Sequence, residues 1–398
     1  MLGPLRLTQP TATAYGMSQC RMGEAKRTHQ KHIGSAALDP TYSYSLRHEM
    51  KNGFPEVSIV IPMYNAQGHI ADVLKAVFAQ DYPAPVEVIV VNDGSKDSSL
   101  EIVKTFQAGV MTPSISPPPS RGRAGWGLKI LDQPNQGAAA ATNNGFRTAR
   151  HAIVCSVDSD VVLSRDWLKK AVKEFADPTV AAVQGYYKTP KGVSFWARMM
   201  GYDVEARYDA IPSKFVTHVC TGDTAYRKSA LDEVGLFDAA FTYGYDNDMS
   251  YRLQNAGYKL VFRKDALCDH FWKADFTGYV RQQFNSAFGR LQLIRKHPAR
   301  ATGDSVSGLR MILQVPMTGL FFLLTLCSII IFFVSPVSLF YPLRAALIVL
   351  GIILIDRLAF AADVFKKQRD ISCFLLPFVH IIRNLVWCWA VLRWKAGT

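Results

Sequence analysis

Several features that would assign a protein to a broad class are missing from this chain of 398 residues. Its seven cysteines show no metal-type pairing, and Cys155 lies inside an apolar run. We therefore expect reduced structural thiols and a cytosolic catalytic domain. The first residues lack the basic segment and apolar core of a secretory signal. We expect residues 1–55 to form an N-terminal tail that is poorly ordered.

The sequence also lacks the signs of nucleic-acid binding, although its formal net charge is +13. The lysines and arginines are scattered, and no basic patch interleaved with aromatic residues is present. A protein that lies against an anionic membrane leaflet explains this charge more simply. We predict a membrane partner and no nucleic-acid partner.

Long apolar runs are absent until about Met311 and then dominate the chain. Residues 312–334 are about as long as a membrane span requires, and residues 343–361 form a second such segment. We therefore predict a transmembrane or interfacial helical region over residues 311–394, which would place the protein in the cell membrane as a multi-pass protein.

Polar and charged side chains interrupt the third apolar segment, which makes a membrane span less certain there. Residues 374–392 carry His380, Arg383 and Asn384, and charge inside a membrane span is expensive. This third segment is predicted to be either an interfacial helix or a helix packed on a partner. The basic residues between the second and third segments, at 366, 367 and 369, predict a cytoplasmic side, and hence a cytoplasmic catalytic domain.

The chain between residues 56 and 300 reads as one soluble α/β domain. Apolar runs at 57–61, 86–91, 128–131, 152–163 and 180–184 predict buried strands, and helical spacing between them predicts the crossovers. Strands that alternate with helices in this way pair in parallel, so we predict a doubly wound, mostly parallel, Rossmann-like sheet. The proline-rich stretch 109–127 is predicted to be a mobile surface excursion, and the aromatic helix 195–208 to flank an acceptor groove.

Two carboxylates, Asp158 and Asp160, end the apolar run that starts at residue 152. In an extended chain both would point to the same side, where they would share a divalent cation such as Mg²⁺ or Mn²⁺. Ligands bind at the carboxyl edge of open α/β sheets, which favours this interpretation. The alternative is a polar turn that merely ends the strand.

Further acidic residues complete a two-sided crevice that fits a nucleoside diphosphate. Asp93 ends the second strand, where it would accept hydrogen bonds from the uracil or the ribose. A cation at the two carboxylates would stabilise the leaving diphosphate. Proton removal from the acceptor hydroxyl needs a separate base on the opposite face, and Asp246 is the candidate because it precedes a helix. The alternative role for Asp246 is that of a helix N-cap.

Five motifs in the correct order resemble the family 2 glycosyltransferases of GT-A fold, from about residue 57 to residue 270. They are VSIVIPMYN at 57–65, VIVVNDGS at 88–95, NQG at 135–137 with NNG at 143–145, VDSD at 157–160, and the stretch 222–257. The resemblance implies metal-dependent, inverting transfer from a nucleotide sugar, usually a UDP-sugar.

The resemblance also implies roles for individual residues. The nucleotide would be bound by Pro62, Tyr64, Asn65, Asp93, Asn135, Gly137 and Asp158. The donor or acceptor sugar would contact Gly222, Asp223 and Arg252; Asp246 would be the catalytic base, and Asp160 and His270 would be metal ligands. A lone histidine is more often structural, and this alternative stays open for His270.

Two departures from the family pattern affect what we expect of the catalytic base and of the number of sugars transferred. Tyr245 replaces the usual Glu before the base, which leaves the orientation of Asp246 open. Asn285 and Ser286 replace the Arg and Trp of the Gln-x-x-Arg-Trp signature of processive synthases, which favours a non-processive enzyme. No glycine-rich phosphate loop follows the first strand, and its absence disfavours a sugar nucleotidyltransferase.

These observations favour a membrane-anchored glycosyltransferase that modifies a hydroxyl or phosphate of a lipid-linked or membrane-proximal glycan acceptor. Two alternatives remain. In the first alternative, the protein is a glycosyltransferase whose acceptor is a polyprenyl phosphate. In the second, it is a catalytically inactive scaffold that binds sugar nucleotide at the membrane.

Overall fold

The structure is a computed structural model that describes residues 53–109, 126–334 and 340–396. The predicted N-terminal tail, up to residue 52, lies outside the described residues, and so does almost all of the proline-rich excursion.

One sheet organises the catalytic part. Its nine strands within the described residues are β1 (Val57–Met63), β2 (Val86–Asp93), β3 (Gly127–Gln133), β4 (Ile153–Val157), β5 (Val161–Leu163), β6 (Val180–Lys188), β7 (Phe215–Val216), β8 (Asp223–Arg227) and β9 (Lys259–His270). Their order is β3-β2-β1-β4-β8-β6-β9-β5, with β7 paired to β9.

Eleven α-helices belong to the described residues. They are α1 (Ile70–Phe78), α2 (Ser99–Gln107), α3 (Ala138–Thr148), α4 (Trp167–Val172), α5 (Phe195–Asp209), α6 (Lys228–Val234), α7 (Tyr245–Asn255), α8 (Phe276–Lys296), α9 (Leu309–Val334), α10 (Phe340–Gln368) and α11 (Leu376–Ala396). Short 3₁₀ helices span Lys173–Ala176, Pro298–Arg300 and Ile371–Leu375.

The first half of the sheet has the parallel pairing that the sequence predicts. β1 lies between β2 and β4, and β2 also pairs with β3, all in parallel. These central strands are buried along almost their whole length and are mostly apolar, because both of their faces are covered. Their carboxyl ends therefore lie along one edge of the sheet, where we expected the site.

The second half makes the sheet mixed. β8 pairs antiparallel with both β4 and β6, and β5 and β7 pair antiparallel with β9, whereas β6 and β9 are parallel. These strands come from the region where the regular alternation of the sequence is lost. Antiparallel pairing at β8 turns the chain back, so residues far apart in sequence meet at the same edge.

The segment 152–163 corrects one local expectation, because it is two strands and not one. β4 lies in the middle of the sheet and ends at Val157, whereas β5 is an edge strand that pairs with β9. The residues between them form a tight turn in which the Val161 N–H donates to the Asp158 carbonyl at 3.0 Å. A turn, and not strand alternation, therefore sets the positions of both carboxylates.

Three helices at the carboxyl end are long and apolar enough to cross a membrane, judged by length and composition. α9 and α10 pack on each other as a hairpin, and their most apolar windows are only 11% and 22% buried by the rest of the chain. The corresponding window of the third segment is 44% buried. The hairpin is therefore the more exposed apolar surface, and α11 is the more enclosed helix.

α11 lies along α8 of the catalytic domain. Tyr279 donates a hydrogen bond to the carbonyl of Val379, and further along Gln283 accepts one from Trp387. The predicted partner of the third apolar segment is thus found within the same chain, which explains how this helix accommodates polar side chains.

The NNG motif at 143–145 is explained by packing. The Asn143 side chain hydrogen bonds with both the N–H and the carbonyl of Phe237, at 2.9 and 2.7 Å. Gly145 faces β1 so closely that an added Cβ would lie 2.2 Å from a methyl carbon of Val60. These residues fix α3 against the sheet and against the loop that precedes α7.

We expect Gly145→Ala to destabilise the protein. Overpacking costs typically about 1–3 kcal/mol, which exceeds the gain of about 1 kcal/mol from better helix propensity. The unfolding temperature of the full chain in detergent should fall by several degrees. Gly351→Ala is the matched control, because an added Cβ at this helical position meets no atom within 4 Å. Equal unfolding temperatures for Gly145→Ala and the wild type would contradict this account of the packing.

Candidate active site

The carboxyl ends of β1 and β2 and the turn before α3 form one connected edge. Asp93 is buried, and its carboxylate accepts hydrogen bonds from the Gln136 and Gly137 N–H groups, each at 2.8 Å. The Asn135 side chain donates to the Asp93 carbonyl at 3.0 Å. Asp93 therefore shapes the turn that contains two other predicted nucleotide-binding residues, and its oxygens already have donors within the protein.

The loop after β1 presents the remaining predicted nucleotide-binding residues of this edge. Pro62 is half-buried within β1, and the Tyr64 side chain that follows is 46% exposed, so its ring is available to a ligand. Asn65 has a positive φ of 50°, and its side-chain oxygen accepts a hydrogen bond from the Lys96 N–H at 2.8 Å. The loops after β1 and β2 are thus joined beside the predicted nucleoside pocket.

Asp158, Asp160 and His270 are brought together from the turn after β4 and the end of β9. One ligand atom from each residue lies within 4.8 Å of the others. The Nδ1 atom of His270 is buried without a hydrogen-bond partner among the described residues. Burial lowers the pKa of His270, which favours the neutral imidazole that binds metals. Two carboxylates and an imidazole fit a divalent cation.

Gly222 allows the close approach of these groups. A Cβ at this position would lie 2.5 Å from the Tyr187 hydroxyl and 2.6 Å from a carboxylate oxygen of Asp158. The Gly222 carbonyl accepts a hydrogen bond from the Asp158 N–H at 2.9 Å. The glycine is therefore required for the shape of the site, whatever it contacts in a bound donor.

Asp223 lies beneath this surface and not on it. It is fully buried, and one of its carboxylate oxygens accepts a hydrogen bond from the Cys268 thiol at 3.2 Å. Burial, together with the nearby Asp158 carboxylate, raises the pKa of Asp223 well above its usual range. The sequence predicts contact with the donor sugar for this residue, and the structure places it behind the residues that line the crevice.

Asp246 lies in the first turn of α7, close enough to Asp158 of the candidate metal cluster to act on it electrostatically. Burial raises the pKa of Asp158 well above its usual range, and the carboxylates of Asp160 and Asp246 raise it further. Tyr245, in place of the family's Glu, has its pKa raised by burial and by Asp158 and Asp246. The predicted base and Tyr245 are therefore close enough to Asp158 for their charges to influence one another.

No sequence pattern singles out His218, which is buried beside Asp246. Its Nε2 atom is 3.5 Å from Asp246 Oδ2, at the outer limit of a hydrogen bond. Burial alone would lower the pKa of His218, but Asp246 and the buried Asp304 raise it. The thiol of Cys220 lies close to His218 and Asp246 and forms a second cluster with them. A lone histidine in an apolar stretch carries no sequence signal, so only tertiary packing identifies it.

Arg252 is engaged within the protein. Its guanidinium donates to the Asp248 carboxylate at 2.8 Å and to the carbonyls of Val234, Gly235 and Leu236 at 2.7–2.9 Å. In the structure this arginine ties α7 to the loop after α6. The sequence predicts a sugar contact for it, whereas its visible contacts are structural.

A cavity of about 290 Å³ extends from Asp246 toward the membrane helices. Its walls come from α5, α7, α8 and α11, and they include Tyr187, Trp272 and Tyr279. Trp272 stacks on His270 with ring centroids 3.7 Å apart, so an aromatic wall connects the cavity with the metal cluster. The helix that was predicted to flank an acceptor groove, α5, does line this cavity.

Two models of glycosyltransferase families match the part of the chain that contains the candidate site. The description "Glycosyl transferase family 2" matches residues 58–235, and "Glycosyl transferase family group 2" matches residues 153–362, which is more than half of the chain.

Individual relatives match in part. The glycosyltransferase AglE of Haloferax volcanii is 27% identical over 61% of this chain and 76% of its own length. The pre-mycofactocin glycosyltransferase of Mycobacterium tuberculosis is 29% identical over 46% of this chain, which spans only 40% of that relative.

Among solved structures, the mannosyltransferase PcManGT from Pyrobaculum calidifontis, in complex with GDP-Man and Mn²⁺, is 18% identical and has a TM-score of 0.50. The match covers 88% of this chain and 94% of the other. At this identity the likeness shows the fold, which is GT-A, as the motifs predict.

Loss of a cluster carboxylate should weaken metal binding before any chemistry is measured. Removal of even an outer-shell partner costs about 10- to 100-fold in metal affinity, so Asp160→Ala should lower the affinity for Mn²⁺ by at least about 100-fold. The signal of free Mn²⁺ in electron paramagnetic resonance measures this directly. Asp246→Asn should retain Mn²⁺ binding, and so should His151→Ala, because His151 pairs with Glu56 outside the site. Unchanged Mn²⁺ binding by Asp160→Ala would refute the assignment.

Proposed function

The chain belongs to glycosyltransferase family 2, and we propose that it transfers a sugar from a nucleotide sugar to an acceptor at a membrane surface. One observation carries the proposal. Asp246, the predicted base, lines a cavity that reaches the apolar helices, and Trp272 in the wall of that cavity stacks on His270 of the candidate metal cluster.

The donor side of the reaction belongs to the edge formed by β1, β2 and β4. We propose a UDP-sugar donor whose nucleoside lies near Tyr64 and the turn that Asp93 holds. Asp158, Asp160 and His270 would hold Mg²⁺ or Mn²⁺, which when bound would offset charge on the leaving diphosphate. Lys273, whose Nζ atom is 3.8 Å from Asp160 Oδ2, supplies a further positive charge on this side.

The acceptor side belongs to α7 and the cavity. In an inverting transfer the Asp246 carboxylate takes the proton from the acceptor hydroxyl as that oxygen attacks the anomeric carbon and the bond to the diphosphate breaks. Trp272, with one face stacked on His270, gives the cavity an aromatic wall of the kind on which sugar rings pack. The acceptor would be a lipid-linked or membrane-proximal glycan, because the cavity is walled by α11 and borders α9.

We propose that the apolar helices anchor the protein in a membrane and that the catalytic domain lies on the cytoplasmic side. The basic end of α10 contacts this domain, since Lys367 binds Asp209 and lies 3.9 Å from Glu205. If positive residues mark the cytoplasmic side, the domain that binds them lies on the same side. The departures at Asn285 and Ser286 support single transfer over processive synthesis. The presence of Asp93, Asp158, Asp160 and Asp246 supports an enzyme over an inactive scaffold, although Tyr245 replaces the family's Glu.

Asp246→Asn is expected to abolish transfer with donor binding intact. Loss of general-base catalysis costs typically about 10²–10⁴-fold in rate. The measurement is UDP release from a panel of UDP-sugars by the full chain, with Mn²⁺ and a membrane lipid extract. Asp232→Asn is the control, since this aspartate is exposed on α6. Wild-type rates in Asp246→Asn would place the base elsewhere, and absence of UDP release by the wild type with every UDP-sugar would overturn the function.

His218 is expected to position Asp246, a task that the family's Glu would otherwise share. His218→Ala should lower kcat by about 10- to 100-fold, the effect of losing one hydrogen bond to a charged group, with an unchanged KM for the donor. His218→Gln retains an N–H donor and should recover part of kcat. If the Ala and Gln variants lose kcat equally, or if the donor KM rises instead, His218 has only a structural role.

A further inference from the structure

The junction between the catalytic domain and the membrane helices holds more arginine side chains than carboxylates to pair with them. A second cavity, of about 470 Å³, lies there between α5, α9, α10 and α11. Its walls include Arg207, Arg310, Arg357 and Arg383. Two of these, Arg357 and Arg383, are only 4% exposed although they lie on helices that are otherwise apolar.

Two carboxylates serve all four arginines. Asp203 lies 3.1 Å from Arg207 and 3.6 Å from Arg383, and it also contacts His380 at 3.1 Å. Asp356 pairs with both Arg310 and Arg357. Arg310 is 65% exposed, whereas the side chains of Arg207, Arg357 and Arg383 are largely enclosed. Three enclosed guanidinium groups share two carboxylates, and the remaining positive charge favours an anion at this position.

The other charged side chains of this cavity do not supply that anion. Lys367 takes up Asp209 and lies 3.9 Å from Glu205, and Asp363 binds Lys366 at 2.9 Å. The excess therefore stays with the arginines. Guanidinium groups bind phosphate oxygens through paired hydrogen bonds, which makes a phosphate or diphosphate the matching ligand.

The cavity also points to a lipid as the carrier of the phosphate. Apolar side chains such as Phe360, Val364 and Met311 share its walls with the arginines, and α9 and α10 expose large apolar side chains beyond it. A free anion needs no apolar wall, whereas a lipid phosphate needs both surfaces.

This cavity adjoins the one that contains Asp246. Asp203, Arg207, Met311 and Arg383 line both. We propose that the arginines bind the phosphate or diphosphate of a membrane lipid, whose attached group then extends through the first cavity toward Asp246. The proposal rests on the proposed function only for this second step, because lipid binding requires neither donor nor metal.

Lipid binding to the full chain in detergent, without donor or Mn²⁺, tests the proposal by native mass spectrometry. The probes are geranylgeranyl phosphate, geranylgeraniol and inorganic phosphate. We expect the phosphate lipid to bind at least about tenfold more tightly than the alcohol, as a charge-assisted hydrogen bond allows, and not to be displaced by equimolar inorganic phosphate. Equal binding of alcohol and phosphate lipid would overturn the proposal, and displacement by inorganic phosphate would show a small-anion site instead.

Substitutions locate the site. Arg383→Gln and Arg357→Gln should weaken binding of the phosphate lipid by at least about tenfold without weakening binding of the alcohol. Arg383→Lys, which keeps the charge but loses the paired donors, should bind between the wild type and the Gln variant. Arg344→Gln is the matched control, because Arg344 is exposed on the same helix as Arg357 and lines neither cavity.

Two further readouts separate the possible failures. Retained Mn²⁺ binding shows that a variant is folded, since the metal cluster lies in a different part of the chain. Unchanged lipid affinity in folded Arg383→Gln and Arg357→Gln proteins would overturn the proposal. Lipid binding without UDP release would contradict the proposed function alone, and UDP release without phosphate-selective binding would contradict this inference alone.

Discussion

Repulsion among carboxylates is the constraint on which the site depends. Asp158, Asp160, Asp223 and Asp246 converge at one edge of the sheet, where burial raises the pKa values of Asp158 and Asp223 and the neighbouring carboxylates raise them further. Such a cluster is destabilising unless a cation or a proton enters it. A site that binds a metal together with a diphosphate uses this arrangement, because the cation that relieves the repulsion also attracts the donor.

The fold produces this convergence by reversing strand direction. The parallel strands β1, β2 and β4 deliver Tyr64, Asp93 and Asp158 to their common carboxyl edge. β8 runs antiparallel to β4, so the residues that precede β8, Gly222 among them, arrive at the same edge from the other direction. β9 then ends there with His270. A purely parallel sheet would have placed the start of β8 at the opposite edge, away from the turn after β4.

The parts predictable from sequence are those with local signals. The strands near 57–61 and 86–91 are mostly apolar because both faces are buried, and the DSD and NDG motifs lie at the ends of such strands. By contrast, β7 and β8 give weak signals, since their pairing depends on partners far away in sequence. His218 and Asp304 belong to no periodic pattern. For Arg252 the motif was visible, but only the structure shows that its donors reach Asp248 and three carbonyls.

The charged residues of the apolar helices, like those of the candidate active site, are brought together by tertiary contacts. His380 and Arg383 would be costly in lipid, but α11 lies against the catalytic domain, where Asp203 of α5 meets both. The polar contacts continue to Gln314 and Thr318 of α9. This network therefore holds the membrane hairpin to the helix that lines the cavity of Asp246. A displacement of α9 would disturb contacts that reach α5, so the packing of the apolar hairpin and the shape of the cavity that contains Asp246 depend on the same side chains.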